Sequence, residues 1–220
     1  VRYRLPGGAQ VRSENAAKTK CQKSAFFSSL LRQLVPVKRT LDYGCGKLRY
    51  LDEISSISDE IYITDSDVQL NRTQIINGVY SSIIDSVNNL NHVHFLNLRD
   101  FNQVSEYFDR VILANVLQVV PIIALRSIIL RRIFRSLRPG GELVLVVQYR
   151  NSDFNRMLKM PNARLYLDGM AIKHIRGTSF YAFIRPADLK EIVTSQGFQI
   201  VQIKLNEGSC YIIARKPNEK

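Results

Sequence analysis

The chain has 220 residues, 45% of them hydrophobic and 23% charged, with a formal net charge of +12. That length reads as one domain with a substantial core, and the composition is that of a globular protein. No apolar run approaches the roughly 20 residues of a membrane span, and three scattered cysteines (Cys21, Cys45, Cys210) make neither a disulfide framework nor a zinc site.

Residues 1–39 are expected to form a basic N-terminal arm and helix. Residues 1–12, with Pro6-Gly7-Gly8, read as irregular. Ser13 or Asn15 is positioned to cap a helix running to about Leu34, with Ala17, Cys21, Phe27, Leu31 and Leu34 on one side and Pro36 beyond its end. Residues 40–43 read as the first strand and Lys47–Ser55 as the next helix. Ile61–Thr64 is β-branched and aromatic, a second strand. A helix with Ile76, Val79, Ile83, Val87 and Leu90 at three- to four-residue spacing follows. Val93–Leu98 and Phe108–Leu113 are further strands. Pro121 opens a helix that turns Ile122, Leu125, Ile129, Ile133 and Leu137 inward.

Pro139-Gly140-Gly141 reads as a turn, and Leu143–Val147 as a strand buried on both faces. Residues 149–184 have no clean period and read as a basic insertion in the 40–220 domain, the place for a substrate lid. Pro186 starts a helix closed by Gly197; Phe198–Leu205 and Cys210–Ala214 read as a hairpin. Strands alternating with helices imply an α/β fold: a mostly parallel sheet with helices on both faces and a C-terminal antiparallel hairpin.

Charge divides the chain. Residues 1–40 carry +8, 41–109 carry −7, 110–148 carry +5 and 149–220 carry +6. Basic flanks suit the phosphates of a nucleic acid or another anionic partner, and equally a soluble basic surface. The polar, basic start reads as no signal peptide, and the Val at position 1 implies that an initiator Met lies outside this sequence. The sparse cysteines make a reducing cytoplasm the simplest home. No metal and no membrane contact is expected.

The most informative stretch is Asp42-Tyr43-Gly44-Cys45-Gly46, set between a strand and a helix. Such turns bring backbone close to a nucleotide-like ligand. A dinucleotide fingerprint needs a third glycine where Arg49 stands, and a P-loop needs a lead and a hydroxyl that Gly46-Lys47-Leu48 lacks. Beside this turn stand Asp65 at the end of the next strand, Ala114-Asn115-Val116-Leu117 after the fourth, and Leu137-Arg138-Pro139-Gly140-Gly141 before the fifth.

In that order, over residues 40–148, these pieces resemble the class I S-adenosylmethionine-dependent methyltransferases. The resemblance implies a Rossmann-like seven-stranded sheet and S-adenosyl-L-methionine as cofactor. It implies cofactor contacts from Asp42, Tyr43, Gly44, Gly46, Asp65, Ser66, Leu98, Arg99 and Asn115, with Asp65 on the ribose hydroxyls. A carboxylate accepts two charge-assisted hydrogen bonds from a diol, and an acidic half suits a sulfonium. Asp42 as a strand-end cap, Asp65 as a helix N-cap shared with Ser66 and Asp67, and Asn115 as a turn residue are the competing roles. Where the family often has an acid facing adenine, this chain has Asn97-Leu98-Arg99-Asp100, so adenine falls to backbone around Leu98 and Arg99 unless the loop lets Asp100 reach it.

The methyl acceptor is not identified. The chain lacks the proline-containing motif of exocyclic-amine DNA methylation and the Pro-Cys pair of cytosine carbon-5 methylation, which disfavours those two classes; the expected acceptor is a small molecule or an anionic, nucleic-acid-like group, and a nucleic-acid-binding protein on the same fold with little catalysis is the alternative. Candidate acceptor contacts come from the insertion: Tyr149, Arg150, Arg176 and Tyr181, with Asp153, Arg156 and Tyr166 beside them, and His174 as a candidate general base. His92 and His94 are read as structural. Family layout places Tyr3, Arg4 and Lys18–Lys23 as a lid over the cofactor. Oligomeric state is not legible.

Overall fold

The computed structural model describes residues 2–5, 8–18, 20–150, 152–175 and 177–218. The first strands are β1 (Arg2–Arg4) and β2 (Gln10–Arg12). Then come α1 (Ala25–Arg32), β3 (Val37–Tyr43), α2 (Leu51–Ser55), β4 (Ser58–Thr64) and α3 (Asp67–Asn71). A hairpin, β5 (Gln74–Ile76) and β6 (Val79–Ser81), precedes α4 (Ile83–Val87), β7 (Val93–Phe95), α5 (Leu98–Phe101) and β8 (Phe108–Ala114). Next are α6 (Ile123–Ser136), β9 (Leu137–Gln148), α7 (Ser152–Leu158), β10 (Ala163–Tyr166), β11 (Gly169–His174) and β12 (Gly177–Ala182). The chain closes with α8 (Pro186–Thr194), β13 (Gln199–Asn206) and β14 (Ser209–Arg215).

The principal sheet has seven strands in the order β13-β14-β9-β8-β3-β4-β7. Pairing is parallel from β9 to β7, and β14 runs antiparallel to both of its neighbours. This is the Rossmann-like α/β sheet with a C-terminal antiparallel hairpin. Period-two alternation sorts its side chains into two cores. Leu143, Leu145 and Val147 of β9, with Val111 and Leu113 of β8, pack on the face covered by α6 and α8. Val144, Val146 and Ile112 point the other way, toward α1, α2, α3 and α4. Both faces are therefore apolar, which is why these strands read as continuous hydrophobic runs.

Several elements differ from their sequence reading. The long first helix is instead two 3-10 turns, Ser13–Ala16 and Lys20–Gln22, followed by the eight residues of α1. The effective cap is Ser24, whose Oγ accepts from Phe27 N–H at 3.2 Å. The helix read across 76–90 splits at Asn77-Gly78, both left-handed (φ +50° and +86°), which turn β5 back on β6. Val79, expected inward, is exposed. The helix after β3 begins at Leu51, because residues 47–50 form a tight turn. The third strand stops at Phe95, since Asn97 caps α5 by accepting from Asp100 N–H at 2.8 Å.

Residues 149–184 are not irregular. After α7, strands β10, β11 and β12 form an antiparallel meander, and β2 joins its edge in parallel at Thr178↔Val11. The N-terminal arm is likewise structured: β1 and β2 complete this five-stranded second sheet. The second sheet is fastened to the first domain layer by an ion pair. Buried Arg126 of α6 donates through Nη2 to Asp168 Oδ1 at 3.0 Å and through Nη1 to Asp168 Oδ2, and its Nε donates to the Val120 carbonyl at 2.9 Å. Replacing Asp168 strands a buried guanidinium. Asp168→Ala is expected to lower stability by about 1.5–3 kcal/mol, the scale of a lost hydrogen bond to a charged group, measured by urea unfolding of both proteins.

Candidate functional site

The C-terminal ends of β3, β4 and β8 meet at a cleft, the position where open parallel sheets take ligands. At its centre is the turn after β3. Gly44 (φ +75°) and Gly46 (φ +57°) both take conformations that side chains disfavour. Gly44 N–H and Cys45 N–H donate to the Thr64 carbonyl of β4 at 2.8 and 3.2 Å. At Gly44 a Cβ would run into Val116 Cγ2, so glycine here admits the β8 loop against the turn.

Asp65 holds the turn from the other side. Its Oδ2 accepts from Gly46 N–H at 3.0 Å and its Oδ1 from Ser66 N–H at 2.7 Å. The cap of α3 is Ser66, whose Oγ accepts from Gln69 N–H at 3.3 Å. Gln69 Nε2 donates to the Gly46 carbonyl at 2.5 Å. Burial raises the Asp65 pKa, against the two backbone hydrogen bonds that lower it. Asp42, buried at the end of β3, is pushed up to about 7 by burial and then by the Asp65 charge, with Arg49 opposing. Tyr3, contributed by β1, is raised to about 12 by burial and by the nearby Asp65 and Glu14 charges.

On the β8 side, Asn115 is left-handed (φ +61°), its N–H donates to the Val146 carbonyl at 2.9 Å, and its Oδ1 accepts from Gln118 Nε2 at 2.9 Å. Gln118 and Gln69 are both buried, line the cleft, and leave Oε1 with no hydrogen-bond partner. Buried amide oxygens rarely stay unpaired, and both of these belong to residues that line the cleft. Neither was singled out from sequence. Gln118 sits one residue past the Asn115–Leu117 motif, a signal within reach; Gln69 has none.

Asp42, Tyr43, Gly44, Gly46, Asp65, Ser66, Leu98, Asn115 and Tyr181 all line the cleft. Tyr3 and Lys18, from the N-terminal segment, line it too. Arg99 lies exposed in α5, and Asp100 is drawn to the Asn97 side chain. His174 is exposed at the end of β11, and Arg150 is exposed after β9; Tyr149 packs against the α6 face of the core. None of these four, nor Arg99, is among the described residues lining the cleft. Arg176 lies outside the described residues. Among the described residues no group of three His, Cys, Asp or Glu is placed to hold a metal, and no helix is long and apolar enough to cross a membrane.

One residue of the turn breaks a backbone rule. Leu48 is left-handed (φ +56°) without being glycine, and it is buried among Phe27, Ile54 and their neighbours. Its side chain therefore holds its backbone in place. Leu48→Ala is expected to cost about 2–5 kcal/mol. Leu48→Gly, which sheds the left-handed penalty of roughly 1–2 kcal/mol, is expected to be at least as stable as the alanine variant. Chemical unfolding of both variants measures the reversal of the usual Ala-over-Gly order.

Comparison with known proteins gives three kinds of match. The family model described as "Methyltransferase domain" matches residues 14–203. The uncharacterized protein YmfD of Escherichia coli (strain K12) is 36% identical over 209 residues, covering 93% of this chain and 92% of that protein. Among solved structures, the 1,6-didemethyltoxoflavin-N1-methyltransferase of Burkholderia thailandensis superposes with a TM-score of 0.59 at 16% identity, covering 88% of this chain and 78% of that one. That structure contains 1,6-didemethyltoxoflavin and S-adenosylhomocysteine. The N-methyltransferase NodS of Bradyrhizobium japonicum WM9, in complex with S-adenosylhomocysteine, gives 0.58 at 15% identity, covering 90% and 91%. At such identities the structural likeness speaks to the fold.

Proposed function

We propose that this chain, which belongs to the methyltransferase-domain family, transfers a methyl group from S-adenosylmethionine to a small-molecule acceptor. The observation that carries the reading is the pair of sheltered carboxylates, Asp42 and Asp65, facing one cleft beside a glycine turn. Gln69 from the α3 side and Gln118 from the β8 side line the same cleft with their amide groups. When bound, the cofactor supplies an electrophilic methyl on a sulfonium, and the acceptor's lone pair forms the new bond as the sulfur–carbon bond breaks.

The residues then have separable tasks. Each Asp65 oxygen accepts one backbone N–H and keeps a second lone pair, which suits a ribose diol. Asp42 faces a positive group. Leu98 and Tyr181 enclose the cleft, and the second sheet keeps water from the reacting atoms. Holding the acceptor in line supplies much of the rate. His174 is exposed, so a base role for it needs a movement of β11 toward the cleft.

The nucleic-acid reading draws on net charge, and part of that charge is spent inside the fold. Of the six cations in residues 110–148, Arg110 pairs with Glu142 at 3.0 Å, Arg126 with Asp168, and Arg138 with Asp109 at 2.7 Å. A small acceptor is the reading these pairings favour. The three free cysteines fit the cytoplasmic location expected from their number.

Two measurements test this. Asp65→Ala is expected to weaken S-adenosylhomocysteine binding about 10- to 100-fold, the worth of hydrogen bonds to a charged acceptor, read by isothermal titration. Asp42 predicts a pH dependence. Its folded pKa, about 7, lies above the unfolded 3.8, so the stability it lends is complete below 3.8 and drains as pH rises through 7. A cation needs the ionised form. Affinity for S-adenosylmethionine is therefore expected to climb from pH 5 to 7 and level above it, and Asp42→Asn to flatten the climb.

A further inference from the structure

A second cavity of about 180 Å³ lies beside the cofactor cleft, and Lys18, Arg49, Tyr50, Asn115 and Gln148 stand in the walls of both. The far walls come from Ser24 and Phe27 at the start of α1, Val146 at the end of β9, and Ser209 and Tyr211 of β14. Its hydroxyls are already ordered. Ser24 N–H donates to the Tyr50 hydroxyl at 3.2 Å, and Ser24 Oγ lies 3.1 Å from the Tyr211 hydroxyl. The chamber is thus a built polar space opening onto the cleft at Asn115.

Its charge is unbalanced at one residue. Lys23 is occupied by Glu53 at 2.8 Å and Asp52 at 3.3 Å. Arg49 is different: its guanidinium stacks over the Tyr50 ring at 4.7 Å and makes one long hydrogen bond, 3.4 Å, to the Gln22 carbonyl. No described carboxylate lies within ion-pair distance of it, and the acid whose charge it feels is Asp42 at the end of β3. Burial lowers its pKa, so this cation sits partly desolvated with most of its five donors unused. A half-buried guanidinium in that condition matches a carboxylate, which it binds through two parallel hydrogen bonds.

Resting on the methyltransferase reading above, we infer that this second cavity is the acceptor's seat and that the acceptor is a small molecule bearing a carboxylate held by Arg49. A singly charged group fits better than a phosphate dianion. Arg49 makes no ion pair with a described carboxylate, Lys23 is already neutralised, Lys18 in the same wall has an interaction of its own, and Glu207, which also lines the cavity, repels additional negative charge. Asn115, whose Oδ1 is fixed by Gln118, stands where the two cavities join. An acceptor anchored at Arg49 presents its other end to that junction.

The test titrates S-adenosylhomocysteine first, alone, into the wild type, Arg49→Gln and Arg49→Lys. Benzoate and N-acetylglycine, with benzamide and N-acetylglycinamide as uncharged counterparts and methyl phosphate as the dianion, are then titrated into each saturated complex by NMR. The expected result is saturable carboxylate binding at least tenfold tighter than the matched amide and tighter than methyl phosphate. Arg49→Gln is expected to lose it about tenfold and Arg49→Lys to regain part. Equal binding of carboxylate and amide, a preference for methyl phosphate, or no effect of Arg49→Gln overturns the inference. So does loss of S-adenosylhomocysteine binding in Arg49→Gln with carboxylate binding intact, which assigns Arg49 to the cofactor. Absence of S-adenosylhomocysteine binding by the wild type instead overturns the cofactor reading, and carboxylate titration of the free protein then still reads out Arg49.

Discussion

The end of β4 grips the turn after β3 through two residues in succession. The Thr64 carbonyl takes the N–H groups of Gly44 and Cys45, and the Asp65 carboxylate takes those of Gly46 and Ser66. Three consecutive N–H groups of a tight turn, those of Gly44, Cys45 and Gly46, are thereby met by one strand end. The arrangement fixes where the cleft floor lies and keeps a carboxylate inside it. Burial, and after it the charge of this same carboxylate, raises the pKa of Asp42 on the neighbouring strand. Geometry and electrostatics of the cleft therefore come from a single parallel pairing, β3 with β4, whose register sets Tyr43 opposite Thr64.

Everything above that floor is supplied by segments distant in sequence. The meander β10-β11-β12 contributes Tyr181, and the segment from β1 to Lys18 contributes Tyr3, Ala16 and Ala17. Arg126 and Asp168 anchor this upper layer to α6. Beneath it, Glu53 of α2 gathers Lys23 and Arg32 around α1, which holds the wall of the second cavity against the turn at 47–50. The site is a rigid floor with two separately tethered walls.

Much of the floor was legible. The run Leu143–Val147 is typical of a strand with both faces covered, and an acid at the end of 40–43 and another just after Ile61–Thr64 placed Asp42 and Asp65 at one sheet end. What was lost was lost for physical reasons. The 3.6-residue count through Ile76, Val79 and Ile83 matched a helix, while Asn77-Gly78 marked a reversal whose backbone preference outweighs that count. The second sheet escaped because its strands are short and its partners remote: β2 meets β12 across most of the chain, which no local pattern encodes. Arg49 was noted for the glycine it replaces. Its interest lies in having no carboxylate at ion-pair distance, and that exists only in three dimensions.

The joining of β2 to β12 has a consequence for how the molecule is made. β1 and β2 can pair with each other, but the edge that β2 shares with β12 waits until residues near 178 are available. Contacts so far apart in sequence carry the largest loop-closure cost and form late. The seven-stranded sheet can be complete through β9 while its cleft is still roofless. The floor of the cleft can thus be in place before the strands that stand over it are joined.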